Sequence, residues 1–324
     1  MEKPDIKQIN ECEKIIKDIK KEVNKVIVGQ EKVLDGIIRG ILCDGHVLVE
    51  GVPGIAKTLI VRALGKAVGG KTQRVQFTVD LLPTDIIGLI TYTSKKGFEI
   101  NKGPVFTNFL VADEINRSPP KTQSALLEAM QEKQVTIGKK TYSLPVPFFA
   151  MATQNPLENS GVYNLPEAEI DRFLFKLLMD YPTEENEVQI MERNISIKNF
   201  NDFGLKTITS PKKIKEMQEI VKKIYISHEL KEYISKIIKL TRGGNFEYAE
   251  HIKWGASPRG SIGIFIASKA NALMNGRNYV IAQDVKDVAF SVLRHRIILG
   301  YSARTKKITP DDIIKKILEY LPAP

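Results

Sequence analysis

The sequence predicts an α/β fold: a parallel five-stranded sheet with helices on both faces and two inserted hairpins, followed by an all-helical domain. Two observations predict it. Up to residue 182, short apolar runs ending at glycine or carboxylate alternate with stretches of helical periodicity, as in strands buried on both faces by crossover helices. Beyond 182, apolar residues recur only at helical spacing.

Residues 5–26 carry Ile6, Ile9, Ile15, Ile16, Ile19 and Val23 among charges, the three-and-four spacing of an amphipathic helix. A second helix is expected over 31–43. The period then changes. His46-Val47-Leu48-Val49-Glu50 is an apolar run that ends at Gly51, a buried strand entering a glycine-rich turn. Helical pattern resumes at Lys57 and stops at Gly69-Gly70, a carboxy-terminal cap. Further strands are expected at 73–79, 107–112, 147–153 and 173–179, and the clearest helix among them at 119–132. Residues 90–101 and 134–146 set Thr, Tyr, Val, Ile and Lys around Gly97 and Gly138, and each reads as a hairpin inserted in the core. Helices are then expected at about 183–195, 211–225, 228–242, 258–275, 283–296 and 310–321, with no convincing strand. The change of character after Tyr181-Pro182 divides the chain into 1–182 and 183–324.

Composition narrows the function classes. The 324 residues are 43% apolar and 27% charged, the ordinary range for soluble chains of one or two domains. The net charge of +10 permits nucleic acid, an anionic membrane or an acidic protein as partner. Pairs such as Lys212-Lys213 and Lys222-Lys223 read instead as solvated helix faces. Cys12 and Cys43 have neither CxxC spacing nor a histidine cluster, which argues against a disulfide scaffold or zinc site and fits a reducing compartment. The charged start Met1-Glu2-Lys3-Pro4-Asp5 lacks a signal peptide's apolar stretch, and no run approaches the roughly 20 apolar residues of a membrane span. A cytoplasmic protein is expected. His46, His228, His251 and His295 share no motif, and Trp254 reads as a packing residue.

Gly51-Val52-Pro53-Gly54-Ile55-Ala56-Lys57-Thr58 matches G-x-x-x-x-G-K-[ST] except at Ala56. In that pattern loop amides wrap phosphates and the next helix points its positive end at them. Lys57 adds a charge at the β- and γ-phosphates, and Thr58 can ligate magnesium, so ATP with Mg2+ is the expected ligand; Leu59 is included in the binding segment. Ala56 reads as a mild departure that keeps its amide and favours the helix it starts. Phe109-Leu110-Val111-Ala112-Asp113-Glu114 is a second apolar run, ending in two carboxylates. Asp113 can hold the magnesium through water, with Thr58 on the other side, and Glu114 can polarise the attacking water. Asn155, in Thr153-Gln154-Asn155-Pro156, can orient that water, or it can simply form the turn before Pro156.

The order Val28-Gly29-Gln30, GVPGIAKT, FLVADEINRSPPKTQSALLEAMQE, ATQNP, LPEAEIDRF and GASPRG resembles the MoxR family of AAA+ ATPases over about residues 20–320. The resemblance implies that Val28, Gly29 and Gln30 contact adenine, and that Asn155 is the sensor-1 amide. It implies that Arg172 is an arginine finger reaching a neighbouring subunit's γ-phosphate, and that Arg259 is the sensor-2 arginine of the helical lid. Asp171 or Glu169 offers Arg172 an ordinary salt bridge instead. Ser257 and Pro258 read as cap and first residue of a helix, which places Arg259 in the first turn. Asp113, Glu114, Asn155 and Arg259 are expected to complete the site within one subunit. Arg117, three residues past the carboxylate pair, is not assigned a catalytic role. The resemblance further implies a homo-oligomer, a hexameric ring, acting on client proteins, among them proteins with a von Willebrand factor A domain. A nucleic-acid motor is the alternative, favoured by charge and by Lys95, Lys96, Lys139 and Lys140 near the hairpin tips. A magnesium-chelatase-type subunit and a nucleotide switch with negligible turnover are the others.

Overall fold

The computed structural model describes residues 4–52, 54–95, 97–156, 161–193 and 200–324, without the Arg304 side chain. The chain begins with α1 (Ile6–Val23) and α2 (Glu31–Leu42), then β1 (Val47–Gly51), α3 (Lys57–Val68) and β2 (Thr72–Gln76). The first insertion follows as α4 (Pro83–Ile87), β3 (Gly88–Thr93) and β4 (Gly97–Lys102). Next come β5 (Phe109–Asp113), α5 (Pro120–Glu132) and the second hairpin, β6 (Gln134–Ile137) with β7 (Lys140–Ser143). β8 (Phe149–Gln154), the short α6 (Glu167–Ile170) and β9 (Phe175–Met179) finish the sheet.

The five-stranded sheet runs β2-β5-β8-β1-β9, and every pairing in it is parallel. Its alternation is visible in β5: Phe109 and Val111 join the buried cluster on one face, Leu110 and Ala112 that on the other. Both faces are therefore dry, as a parallel sheet requires. Because all five strands point one way, their carboxyl ends share one edge, where ligands of such sheets bind. β2 stops at Gln76, earlier than the expected 79, and Val79 is exposed.

Helices take over with α7 (Glu184–Arg193), α8 (Pro211–Lys223), α9 (His228–Thr241), α10 (Pro258–Met274), α11 (Ala282–Leu293), α12 (Tyr301–Thr305) and α13 (Pro310–Tyr320). The expected residues 194 and 195 of the first of these lie outside the described segments. A two-stranded antiparallel pair, β10 (Ile252–Trp254) with β11 (Ile298–Leu299), corrects the expectation that no strand occurs here. Strands of three and two residues are too short to show a period in sequence. Trp254 lies on β10 and is 64% exposed, so it is not the packing residue that was expected.

The change at 182 is one of topology, not of packing. A single buried cluster joins Ile16 and Ile37 of the first helices to Val49 of the sheet and to Met217, Ile264, Val288 and Ile314 beyond it. Two long-range bonds tie α2 to the lid helices: Gln218 Nε2 donates to the Ile41 carbonyl (2.7 Å), and Arg39 Nη2 to Asn271 Oδ1 (2.7 Å).

Candidate active site

The loop after β1 is shaped by three residues. A Cβ on Gly51 would stand 2.5 Å from the Met179 carbonyl oxygen, so glycine alone lets β1 end this close to β9. Gly54 turns at φ +85°, a conformation open to glycine. Ala56 corrects the sequence reading. It is not the first residue of α3 but stands before it at φ +66°, ψ +23°, left-handed backbone that strains an L-residue by about 1–2 kcal/mol. Left-handed residues next to right-handed ones turn successive N–H groups into one concavity, the geometry of phosphate loops. Pro53 lies outside the described residues.

Lys57 and Thr58 open α3, whose first turn has no side-chain cap, and both line the cleft, so the positive end of the helix faces it. Lys57 Nζ donates to the Gly51 carbonyl (2.6 Å) across the loop. Thr58 Oγ1 donates to Asp113 Oδ2 (2.7 Å), which also accepts from Arg74 Nε of β2 (2.6 Å). Thr153 of β8 donates to Asp113 Oδ1 (3.1 Å) and accepts from the Glu114 N–H (2.9 Å), tying both carboxylates to the next strand. Glu114 itself is left-handed, φ +56°, and its Oε2 accepts from Gln76 Nε2 (2.6 Å) and Arg117 Nη1 (3.0 Å). Arg74 Nη2 closes the circuit onto Gln76 Oε1 (2.8 Å).

These groups line a cleft of about 450 Å³. A second pocket of about 340 Å³ adjoins it, lined by Val28, Gln30, Ile55, Tyr181, Ile190 and Phe203, and the two meet at Gly54, Ala56 and Leu59. A polar chamber at a phosphate loop beside an apolar one suits a molecule with an anionic end and a flat apolar end. Gln30 is fixed by a bond from Nε2 to the Asp180 carbonyl (2.9 Å), while Gly29 takes φ +72° beside Asn186 of α7. Val52 is half-buried against the main core. For a magnesium ion the Thr58 hydroxyl and Asp113 carboxylate are oxygen donors of the right hardness. Arg74 shares Asp113 Oδ2 with Thr58, so direct ligation through that oxygen requires it to withdraw.

The other predicted residues lie elsewhere. Asn155 is buried one residue past β8 and is not part of the cleft wall. Arg259 is in the first turn of α10, with its N–H capped by Ser257 Oγ (3.2 Å) as expected. Its guanidinium, however, stands 3.5 Å from Asp171 Oδ2 and lines neither cavity. It stands instead beside the segment that carries Arg172, which is exposed. The ordinary partners suggested for Arg172 are engaged otherwise: Asp171 takes Arg296, Arg259 and Ser257 Oγ, and Glu169 accepts from Ser124 Oγ (3.0 Å).

Sequence reading missed Arg74, Gln76, Thr153 and Arg296. The first two are polar residues two apart at the end of a strand, hence on one side of it, a signal that could have drawn attention to them. Thr153 passes for an ordinary strand threonine, and Arg296 for a basic residue at a helix end.

Residues 46–175 match the family model described as ATPase family associated with various cellular activities, and residues 248–317 match the AAA lid domain. The chain is 46% identical over 308 residues to Chaperone MoxR1 of Mycobacterium tuberculosis, covering 94% of this chain and 81% of that one. It is 41% identical over 305 residues to the uncharacterised YeaC protein of Bacillus subtilis, covering 93% and 92%. A crystal structure described as a candidate ATPase of Cytophaga hutchinsonii superposes with a TM-score of 0.90 at 44% identity, covering 98% of this chain and 97% of that one. With the strand order, the phosphate loop and the carboxylate pair already in place, these likenesses establish that the chain is an ATPase and belongs to the MoxR family of AAA+ proteins.

Proposed function

We propose that copies of this chain form a ring, six on the family pattern, that hydrolyses MgATP at sites shared by neighbours and uses the energy to remodel client proteins in a chaperone-like way. One observation carries the shared-site reading. Arg172 is exposed next to Asp171, Arg259 stands 3.5 Å from Asp171, and neither lines the cleft that holds Lys57, Thr58 and Asp113. Two arginines placed so are suited to a neighbour's phosphates, and Arg259 thereby moves from the within-subunit role expected for it. We retain residue 182 as the boundary between ATPase core and lid.

In this reading Lys57 and the loop amides hold the β- and γ-phosphate oxygens, and Thr58 and Asp113 hold the metal. Magnesium supplies charge neutralisation at those oxygens. Glu114, released from Gln76 and Arg117, accepts the proton of the attacking water, and Asn155 orients that water. Val28, Gly29 and Gln30 face the base. The neighbour's Arg172 stabilises charge on the transferring phosphoryl group, a contribution of about 10³–10⁵ in rate where arginine fingers act.

The client fits the first hairpin, which exposes Ile90, Tyr92, Phe98 and Ile100. Tyr92 and Phe98 pair across the strands with ring centroids 5.1 Å apart. A solvent-facing apolar stripe suits a polypeptide segment, and maturation or metal insertion of proteins with a von Willebrand factor A domain is the work the family suggests. Among the described residues no helix is long and apolar enough to cross a membrane, and we place the assembly in the cytoplasm.

The test is hydrolysis against protein concentration, together with Glu114→Gln. Specific activity rises as rings form. Glu114→Gln lowers turnover by about 10²–10⁴-fold, still binds ATP, and in its ATP-bound form retains a client from a host extract. Specific activity that is independent of concentration refutes the shared site, and stimulation by DNA in place of a protein client refutes the remodelling role.

A further inference from the structure

The end of α11 leads into Arg294-His295-Arg296, and this lid triplet grips the backbone on both sides of Arg172. Arg296 is buried, with its side chain 3% exposed. Its Nε donates to Asp171 Oδ1 (2.7 Å). One terminal nitrogen, Nη2, donates to the carbonyls of Asp171 (3.1 Å) and Phe173 (2.8 Å), the residues immediately before and after Arg172. The other, Nη1, donates to the carbonyls of Leu174 (3.1 Å) and Val292. All five N–H donors of the guanidinium are therefore satisfied. His295 Nε2 adds a bond to the Phe173 carbonyl (3.0 Å), and Arg294 Nη1 one to that of Lys176 (3.1 Å) while it pairs with Asp311.

A buried, fully bonded arginine that brackets one exposed arginine is a mount. We propose that Arg296 is a positioning residue for Arg172: it sets the direction in which Arg172 leaves the surface and makes the finger move with the lid. Three features favour this over simple packing. The bonds go to backbone carbonyls, which fix chain direction, and not to neighbouring side chains alone. They fall at 171, 173 and 174 and so enclose the one residue of the segment whose side chain faces out. The grip also comes from the lid, 122–125 residues along the chain, so the segment and the lid cannot shift independently. The proposal rests on the shared-site reading of Arg172.

The experiment mixes variants in ATPase assays. Arg296→Lys keeps the charge beside Asp171 but loses the planar fork to the carbonyls. Turnover at saturating ATP is expected to fall by about 10²-fold, the cost of a misplacement near 1 Å, with nucleotide affinity unchanged in a fluorescent-nucleotide titration. In combination with Arg172→Ala it lowers turnover no further than Arg172→Ala does. Mixed with Glu114→Gln, which is defective in its own site but carries a sound Arg172, Arg296→Lys regains activity. A parallel mixture of Arg172→Ala with Glu114→Gln tests the shared site itself. No regain in either mixture overturns the shared-site reading, and the mount with it. Regain with Arg172→Ala but not with Arg296→Lys overturns the mount alone, as do additive losses in the double variant. Arg296→Gln, which gives up the charge but leaves Asp171 its Arg259 contact, serves the same mixtures if the lysine variant does not fold.

Discussion

Asp113 and Asp171 have similar partner sets and opposite uses. Each accepts from a hydroxyl, Thr58 for Asp113 and Ser257 for Asp171, and each meets an arginine that is about half exposed, Arg74 at 54% and Arg259 at 49%. The third partner differs. Asp113 has the neutral Thr153 hydroxyl, so withdrawal of Arg74 leaves a carboxylate ready for a cation. Asp171 has the buried Arg296, which neutralises it whatever Arg259 does. Arg259 is half exposed and 3.5 Å from an Asp171 that Arg296 already neutralises, so it can leave for a phosphate at small cost, on the order of 1 kcal/mol. One aspartate is thus kept available and the other is an anchor.

The largest effect is expected in the segment beside the anchor. Arg172→Ala is expected to lower turnover of the assembled protein by about 10³–10⁵-fold while ATP binding, measured by nucleotide titration, is retained. Unchanged turnover would remove the anchor side from the active site altogether.

The next is a pair of amides. Asp171→Asn leaves a buried guanidinium without its counter-charge and should lower unfolding stability by about 3–5 kcal/mol. Asp113→Asn leaves the half-exposed Arg74 free to turn to water, so stability should fall by less than in Asp171→Asn while magnesium-dependent nucleotide binding is lost. Urea unfolding of the two variants decides. Equal losses would show that the two aspartates do the same work.

Two buried neutral histidines, one at the end of β1 away from the cleft and one beside the anchor, can be tested by acid. His46, at the foot of β1, accepts from the Ala150 N–H on Nδ1 (3.0 Å), so its Nε2 carries the proton given to the Met130 carbonyl (2.9 Å). Burial pushes its pKa down to about 4 from 6.5. At the anchor, burial first and the adjacent Arg296 second hold His295 well below 6.5. The unfolded chain takes up these protons below pH 6.5 and the folded chain does not. Stability is therefore complete above about pH 6.5 and falls as the pH drops, by roughly 3 kcal/mol for His46 by pH 4. Unfolding midpoints between pH 7 and 4.5 should flatten in His46→Gln, and an unchanged acid slope would sink the assignment.

The two regions were unequally legible in sequence for a physical reason. At the sheet edge each functional residue sits where its own strand ends, so Lys57, Thr58, Asp113 and Glu114 are marked by the apolar run before them or the helix after them. The anchor joins residue 171 to residue 296, 125 positions away, and no local pattern encodes that meeting. Arg74, Gln76 and Thr153 were hidden for a milder reason: polar residues at strand ends are common, and only pairing with β5 gives them partners. The five strands, the hairpins and the lid helices followed from periodicity, whereas β10 and β11 and the continuous core across residue 182 depended on tertiary contacts.

The smallest effect returns to the cleft. Ala56 reads in sequence as a helix former, yet it holds φ +66° ahead of α3. Its carbonyl accepts from the Leu59 and Ile60 N–H groups (3.0 and 3.2 Å), so it serves as the helix N-cap. Ala56→Gly removes a left-handed penalty of about 1–2 kcal/mol but gives the unfolded chain more freedom, worth about 0.4–1 kcal/mol in the other direction. The balance lies between about 0 and about 1.6 kcal/mol of gain, a rise of a few degrees at most in the thermal midpoint. The opposite sign is expected for Gly54→Ala, because φ +85° would then be imposed on an alanine with nothing within 4 Å of its added Cβ to compensate. Destabilisation by both changes would mean that Ala56 is held by its methyl contacts and not strained by its backbone.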